Sequence, residues 1–244
     1  MNINSEKEDL KQLIQNIYNI LLKNYGYQGW FPLIRFPGTN PTKSGSIRGY
    51  HPNNYDLPKT IDEIYEVCIA SILTQNTNWI NAEKALLNLY KNNVLNPNII
   101  AILDIKKLKE LIKCAGFYNQ KSVRIKEFTH WFLLNLDRLN SIKREELLKI
   151  KGIGKETADT ILLYALKKPF FVIDSYTMRF CYRLGINFKN YDDLQEIFQI
   201  SLEQDFRIYN EYHALIVEHC KRFCKKTPNC DICILKTICQ KRLD

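Results

Sequence analysis

The 244-residue sequence has no run of about 18 consecutive apolar residues, which excludes a membrane-spanning helix of ordinary length. Its opening stretch, MNINSEKEDLKQL, is charged and lacks the apolar segment of a secretory signal. A cytoplasmic protein, nucleoid-associated in a prokaryote, is therefore expected, and a reducing compartment disfavours disulfides. No internal repeat and no low-complexity tract is present. Strand signals are scarce. FFVI at 170–173 is short and apolar, but it follows Pro169 and precedes a capping Asp, so it reads as an extended connector. Acidic residues are in deficit: 26 Asp and Glu stand against 35 Lys and Arg, a formal charge of +9 spread along the chain. A basic surface suits a polyanion, because each neutralised phosphate releases counterions. Charge alone does not identify nucleic acid, since many Lys-rich proteins bind none.

Helical periodicity fills most of what remains. Apolar residues recur at three- and four-residue spacing in Leu10–Leu22, Ile64–Leu73, Ala82–Leu89, Ile105–Leu111 and Thr157–Leu166. Residues 33–60 differ, with four prolines, three glycines and little periodicity, and read as a long loop or an insertion. Their basic residues Lys43, Arg48 and Lys59 offer contacts to a polyanion, or form a solvated surface.

Chemistry concentrates in residues 145–180. Leu147, Leu148 and Ile150 end a short helix, Gly152-Ile153-Gly154 turns, and a second helix is expected from Thr157 with Ala158, Ile161 and Leu162 on one face. Amides exposed at such a turn and helix start bind phosphate, glycine admits close approach, and Lys151 and Lys155 add charge. By itself the pattern is equally a helix–helix turn. Asp174 then opens a helix in IDSYTMRF, where it reads as an N-cap or as a functional carboxylate. Five of the eight cysteines crowd the last 25 residues. Cys224, Cys230, Cys233 and Cys239 give C-x5-C-x2-C-x5-C, a metal-site spacing that alone allows zinc, with Cys220 as a spare. Cys68, Cys114 and Cys181 lie in apolar helical stretches and read as core.

LLKIKGIGKETADTILLYA and VIDSYTMRFCYRLG together resemble the helix–hairpin–helix and aspartate of the endonuclease III superfamily of DNA glycosylases. LTQNT at 73–77 is similar to the family segment facing the gap in DNA, and the resemblance spans roughly residues 62–239. GWFP, EVCIASILTQNTNWINAEKAL, GFYNQKS and HALIVEHCKRFC narrow it toward the 3-methyladenine DNA glycosylase III branch. The resemblance implies an all-α, two-lobed fold with a C-terminal four-Cys cluster loop. One lobe would hold residues 1–61 and 169–244, the other 62–168 with the hairpin at 145–166. It implies double-stranded DNA with a flipped damaged base as partner and a monomer as working unit. It makes Asp174 the catalytic carboxylate and Trp30, Phe31 and Trp79 the base pocket, where a core tryptophan is the alternative for either indole. Gln75, Asn76, Lys151, Gly152, Gly154 and Lys155 become the DNA contacts, Gln75 and Asn76 filling the gap. It favours a [4Fe–4S] cluster over zinc on the four cysteines, although the commoner first gap is six residues rather than five. The chain departs from bifunctional members at one position. Their Schiff-base lysine, two residues past the second hairpin glycine, is Glu156 here, which implies base removal without strand cleavage. A lyase using another Lys on oxidised pyrimidines, or a DNA-structure binder without chemistry, are the competing expectations.

Overall fold

The amphipathic stripes close into helices in a computed structural model that describes residues 3–41 and 48–243, with side chains from Lys7 onward. In α1 (Ile3–Tyr25), Ile14, Ile17 and Leu21 fall three and four residues apart and are fully buried. Helix α2 (Ile61–Leu73) begins at a capping box. Thr60 Oγ1 accepts from the Glu63 amide at 3.2 Å, and Glu63 Oε2 accepts from the Thr60 amide at 3.0 Å. Its residues 65–73 are all buried, so this is a helix of the core rather than of the surface. Helices α3 (Trp79–Lys91), α4 (Pro97–Ile102) and α5 (Ile105–Ile112) are capped by Asn78, Asn96 and Asp104, and α4 carries Pro at its first position. Then follow α6 (Tyr118–Leu134), α7 (Arg144–Leu148) and α8 (Lys155–Thr160), which runs into a π-helical turn at Ile161–Ala165. Helices α9 (Ser175–Leu184), α10 (Tyr191–Ser201) and α11 (Phe206–Arg222) complete the order. No strand occurs among the described residues, and 167–174 is coil.

Packing follows two sets of neighbours. Helix α2 packs on α3 and α6, α3 on α5, α4 and α5 on α6, and α7 on α8. Helix α1 packs on α10 and α11, and α9 on α11. The π-helical turn touches both α2 and α11, so the end of the hairpin helix is where the sets meet. Its residues Ile161, Leu162, Leu163, Tyr164 and Ala165 are all buried, and this packing outweighs the less favourable π geometry.

One local expectation needs correction, and one is filled in. The second hairpin helix starts at Lys155, not Thr157, because Gly154 is already the extended N-cap at φ −90° and ψ 179°. Residues 33–60 lack regular secondary structure where described, yet they form a tied strap. Buried Glu66 accepts from Arg35 Nε at 2.7 Å and from the Ile34 amide. Buried Glu211 accepts from Tyr55 Oη at 3.1 Å and from the Gln28 amide. His51 bonds the carbonyls of Phe31 and Asn54, each at 3.0 Å. Arg48 and Lys59 are exposed, and Lys59 pairs with Asp56 at 3.4 Å; Lys43 lies outside the described residues.

Candidate active site

The coil connector delivers Asp174 to the start of α9. Its Oδ1 accepts from the Thr177 amide at 2.7 Å and from Thr177 Oγ1 at 2.9 Å. Its Oδ2 faces His213 Nε2 at 3.6 Å, and the carboxyl is 15 % exposed. Burial works to raise this carboxyl, but the His213 interaction and the Thr177 bonds outweigh it and hold it below the usual aspartate range. Asp174 is thus an anion at neutral pH. The N-cap reading holds: one oxygen caps α9, and the other faces His213.

Rings form the wall beside it. His213 Nδ1 lies 2.6 Å from Tyr164 Oη, and Tyr164 sits in the π-helical turn. Trp30 meets His213 edge-on at 5.7 Å between centroids, and Asn210 Nδ2 donates to the Trp30 carbonyl at 2.9 Å. Phe31 meets Tyr164 at 5.4 Å and Trp79 at 5.2 Å. Lys221 Nζ lies 5.6 Å from the Trp30 ring, its amine lowered by burial against the raising influence of Glu218 and Asp174. The three predicted aromatic residues therefore share one shell with Asp174's histidine, although Phe31 is only 7 % exposed and presents little area.

The hairpin turns at Gly152 and is tied to the LTQNT turn. Gly152 has φ +83°, and a Cβ there would sit 2.5 Å from Arg124 Nε, so only glycine fits. Gly154 is different: its extended backbone has open space around it, and its use is as an N-cap without a side chain. Gln75 is spoken for. Its Nε2 donates to the Gly152 carbonyl and to Thr157 Oγ1, both at 3.0 Å, and its Oε1 accepts from Arg124 at 2.6 Å. In this conformation Gln75 is a strut between turn and hairpin rather than a free gap-filler. Asn76 beside it is exposed with φ +50°. Lys151 is exposed, whereas Lys155 is ion-paired with Asp192. Glu156 stands in the first turn of α8, and its carboxyl is pushed up to about 7 by desolvation, then by the Asp174 charge, against the lowering effect of His213.

Several residues of this region escaped the sequence reading. Tyr164, Asn210 and His213 lay inside helical stripes. Asn210 and His213 are three apart on α11, a spacing visible in sequence, but nothing there says which face meets Trp30. Lys121 is 1 % exposed and donates to Leu73 O at 2.7 Å, Thr77 Oγ1 at 2.7 Å and Ala115 O at 2.9 Å. It clamps both ends of the LTQNT turn, and burial, with help from Arg124, pulls its amine down to about 8. Asp159 is fully buried on α8. It accepts from Arg144 at 2.6 and 2.9 Å, from Tyr191 Oη at 2.7 Å and from Gln195 Nε2 at 2.8 Å, tying the hairpin to α10.

The four predicted cysteines lie in the irregular segment after α11 and line one cavity with Phe180, His219 and Leu235. Leu235 and Lys241 amides point at Cys233 and Cys239 sulfurs at 3.4 Å. Arg183 lies 3.5 Å from Cys224 Sγ. The Cys224 thiol is pulled down to about 6, chiefly by a hydrogen bond from Cys220, against burial and with help from Arg183. Among the described residues no three His, Cys, Asp or Glu side chains converge on one metal ion. Four thiols lining one cavity are a soft donor set that either zinc or an iron–sulfur cluster takes. Cys68 and Cys181 are buried, and Cys114 is half-buried.

A sequence profile of the HhH-GPD superfamily, base excision DNA repair proteins, matches residues 69–204. A Methanocaldococcus jannaschii protein named provisionally as a DNA repair glycosylase is 44 % identical, over 96 % of this chain and 98 % of its own. Endonuclease III of Thermotoga maritima is 31 % identical over 72 % of this chain and 82 % of its own. The crystal structure of H. pylori 3-methyladenine DNA glycosylase bound to 1,N6-ethenoadenine superposes with a TM-score of 0.61 at 32 % identity, covering 65 % of this chain and 85 % of that one. A trapped endonuclease III–DNA covalent intermediate shares the fold at TM-score 0.72 and 18 % identity, covering 95 % and 96 %.

Proposed function

Because this chain belongs to the HhH-GPD superfamily of base excision DNA repair proteins, we propose that it is a DNA glycosylase that hydrolyses the N-glycosidic bond of an alkylated purine, of the 3-methyladenine kind, without cutting the strand. The observation that carries this reading is the pairing of an ionised Asp174 with Glu156, rather than an amine, beside a wall of rings. An alkylated purine is already cationic and leaves without being protonated. Electron-rich rings attract it, worth ~0.5–2 kcal/mol. As the bond to C1′ breaks, the Asp174 carboxylate stabilises the oxocarbenium sugar or orients the attacking water. The base reaches Trp30, Phe31 and Trp79 by leaving the stack. Asn76, Lys151 and the amides after Gly152 and Gly154 meet the backbone and the gap, with Lys121 and Gln75 holding the LTQNT turn in place. We take the DNA to lie across the junction of the two helix sets, bound by one copy of the chain.

Cys224, Cys230, Cys233 and Cys239 would hold a [4Fe–4S] cluster, which ties the C-terminal segment to α9 and supplies no step of the reaction. The nearby Lys225, Lys226 and Lys236 then face phosphate. The decisive experiment is product analysis on duplexes bearing methylated, oxidised and mismatched bases, with and without alkali. Free methylpurine, strand breaks only after alkali, and no borohydride-trapped complex on abasic DNA are expected. A trapped complex would return the lyase reading; binding without any base release would return the non-catalytic one.

A further inference from the structure

A mostly buried carboxylate needs donors aimed at it. Thr177 serves Asp174 Oδ1 through its amide and its hydroxyl, and Oδ2 is left to His213. Buried polar atoms in folded proteins are almost always paired, so each exception asks for a reason. Among the described residues, three buried side-chain atoms lack a hydrogen-bond partner: Trp79 Nε1, Asn210 Oδ1 and His213 Nε2. Of these, His213 Nε2 faces Asp174 Oδ2 at 3.6 Å. Catalytic hydrogen bonds are commonly that long before substrate binds, and tighten in the complex.

Rings box the imidazole in. Trp30 meets it edge-on at 5.7 Å, the Tyr164 ring lies 5.9 Å away, and the side chain is 6 % exposed. Its other nitrogen, Nδ1, lies 2.6 Å from Tyr164 Oη, while the same hydroxyl is 3.4 Å from the Asn210 carbonyl. In its neutral form an imidazole has one proton for two nitrogens. A lone pair on Nε2 would face the carboxylate charge, so the network assigns the proton to Nε2, and Nδ1 accepts from the phenol. The short Nδ1 contact agrees, since the hydroxyl has one proton and the carbonyl is farther away. We propose that Tyr164 and His213 are positioning residues of the glycosylase reaction: Tyr164 Oη donates to Nδ1 and so fixes the proton on Nε2, and the Nε2–H holds Asp174 Oδ2 in the orientation in which it meets the sugar. The inference rests on the reading of Asp174 as the catalytic carboxylate and deepens it.

The relay crosses the molecule. Tyr164 stands in the π-helical turn that packs on both α2 and α11, His213 lies on α11, and Asp174 opens α9. The carboxylate is therefore held from the junction of the two helix sets as well as by its own helix. Other titratable groups act on it too. Glu156 on α8 carries a like charge, Lys221 on α11 carries the opposite one, and Tyr164, Cys181 and Cys220 also feel the carboxylate. His213 and Thr177 are what bring the carboxyl below its ordinary range against burial. Without the relay the burial remains and the carboxyl rises. A reaction that needs Asp174 ionised then fails at a higher pH on acidification.

The test is single-turnover excision from methylated duplexes, from acid to neutral pH, by the full chain and by Tyr164→Phe, His213→Phe and His213→Gln. Tyr164→Phe keeps the ring and loses only the hydroxyl, and glutamine restores an N–H in place of the imidazole. In Tyr164→Phe and His213→Phe the rate constant should fall about tenfold with duplex affinity unchanged, as for one lost hydrogen bond to a charged group. The acid limb of the pH profile should move to higher pH, and His213→Gln should recover part of both effects. An acid limb that stays in place overturns the inference even where rates fall, because a merely structural loss lowers the rate without moving the limb. A second measurement needs no variant: imidazole nitrogen NMR of the full chain should find the His213 proton on Nε2, and a proton on Nδ1 overturns the relay. Full excision by Asp174→Asn overturns the catalytic reading and this inference with it. An inactive Asp174→Asn beside an unmoved acid limb overturns this inference alone.

Discussion

Asp174 divides its two oxygens between holding a helix and facing His213, and the division makes its roles separable. Asparagine caps a helix about as well as aspartate, so Asp174→Asn should fold. It should lose base excision by a factor of about 10²–10³, the cost typical of removing one preorganised electrostatic group, measured on methylated duplexes. The pH dependence carries the sign. The folded carboxyl lies below its ordinary value, so its contribution to stability is present above the unfolded pKa and is lost as pH falls through the folded one. Acid titration of the melting temperature should therefore be flatter in Asp174→Asn. Full excision by this variant would remove Asp174 from the chemistry. IDSYTMRF already marked the carboxylate, because a cap is a local feature. His213, 39 residues later, carries no mark, because only the packing of α11 turns its ring toward Asp174.

At the scale of elements, α8 is the piece on which the site hangs. Its Asp159 gathers Arg144, Tyr191 and Gln195, and removing it leaves a mostly buried guanidinium with only Asp192 at 3.6 Å. Asp159→Ala should cost about 3–5 kcal/mol, seen as a lower denaturant midpoint. An ordinary surface effect below 1 kcal/mol would show that the network is not a weld. The strap is held by a second buried carboxyl, Glu211, which desolvation pushes up to about 7. Its folded form keeps a proton that the unfolded chain gives up, so stability should decline as pH rises from its ordinary 4.5 toward 7. Glu211→Gln should erase that slope in urea midpoints across the interval; an unaltered slope would place its origin elsewhere. The strap read from sequence only as a loop, because its order comes from partners 31 to 156 residues away.

For the whole molecule, the two helix sets meet at the π-helical turn, and the cysteine segment closes on the end of α9. Gln240 and Arg242 amides reach the Leu184 and Arg183 carbonyls at 3.4 and 3.3 Å. If the four thiols hold an iron–sulfur cluster, anaerobically purified protein is brown, and Cys239→Ser loses the colour and melts at a lower temperature. A colourless protein with one zinc per chain would replace the cluster by the simpler metal. Charge belongs to this scale as well. Binding to undamaged duplex should weaken steeply with salt, since neutralised phosphates release counterions. A salt-independent affinity would detach the +9 charge from nucleic acid.

Three absences mark the chain: no apolar span, few strand signals, an acid deficit. Those, with the periodicities, determined an all-helical chain, and the local motifs determined the turn at Gly152, the cap at Asp174 and the cysteine spacing. These follow from short-range sterics, backbone hydrogen bonding and side-chain spacing, which sequence states directly. Tertiary structure alone decided that Gln75 and Lys155 are already engaged, that Tyr164, Asn210 and His213 face Trp30, and that three polar atoms are buried there unpaired. Each depends on which faces of distant helices pack together, and periodicity shows that a face is buried without showing against what.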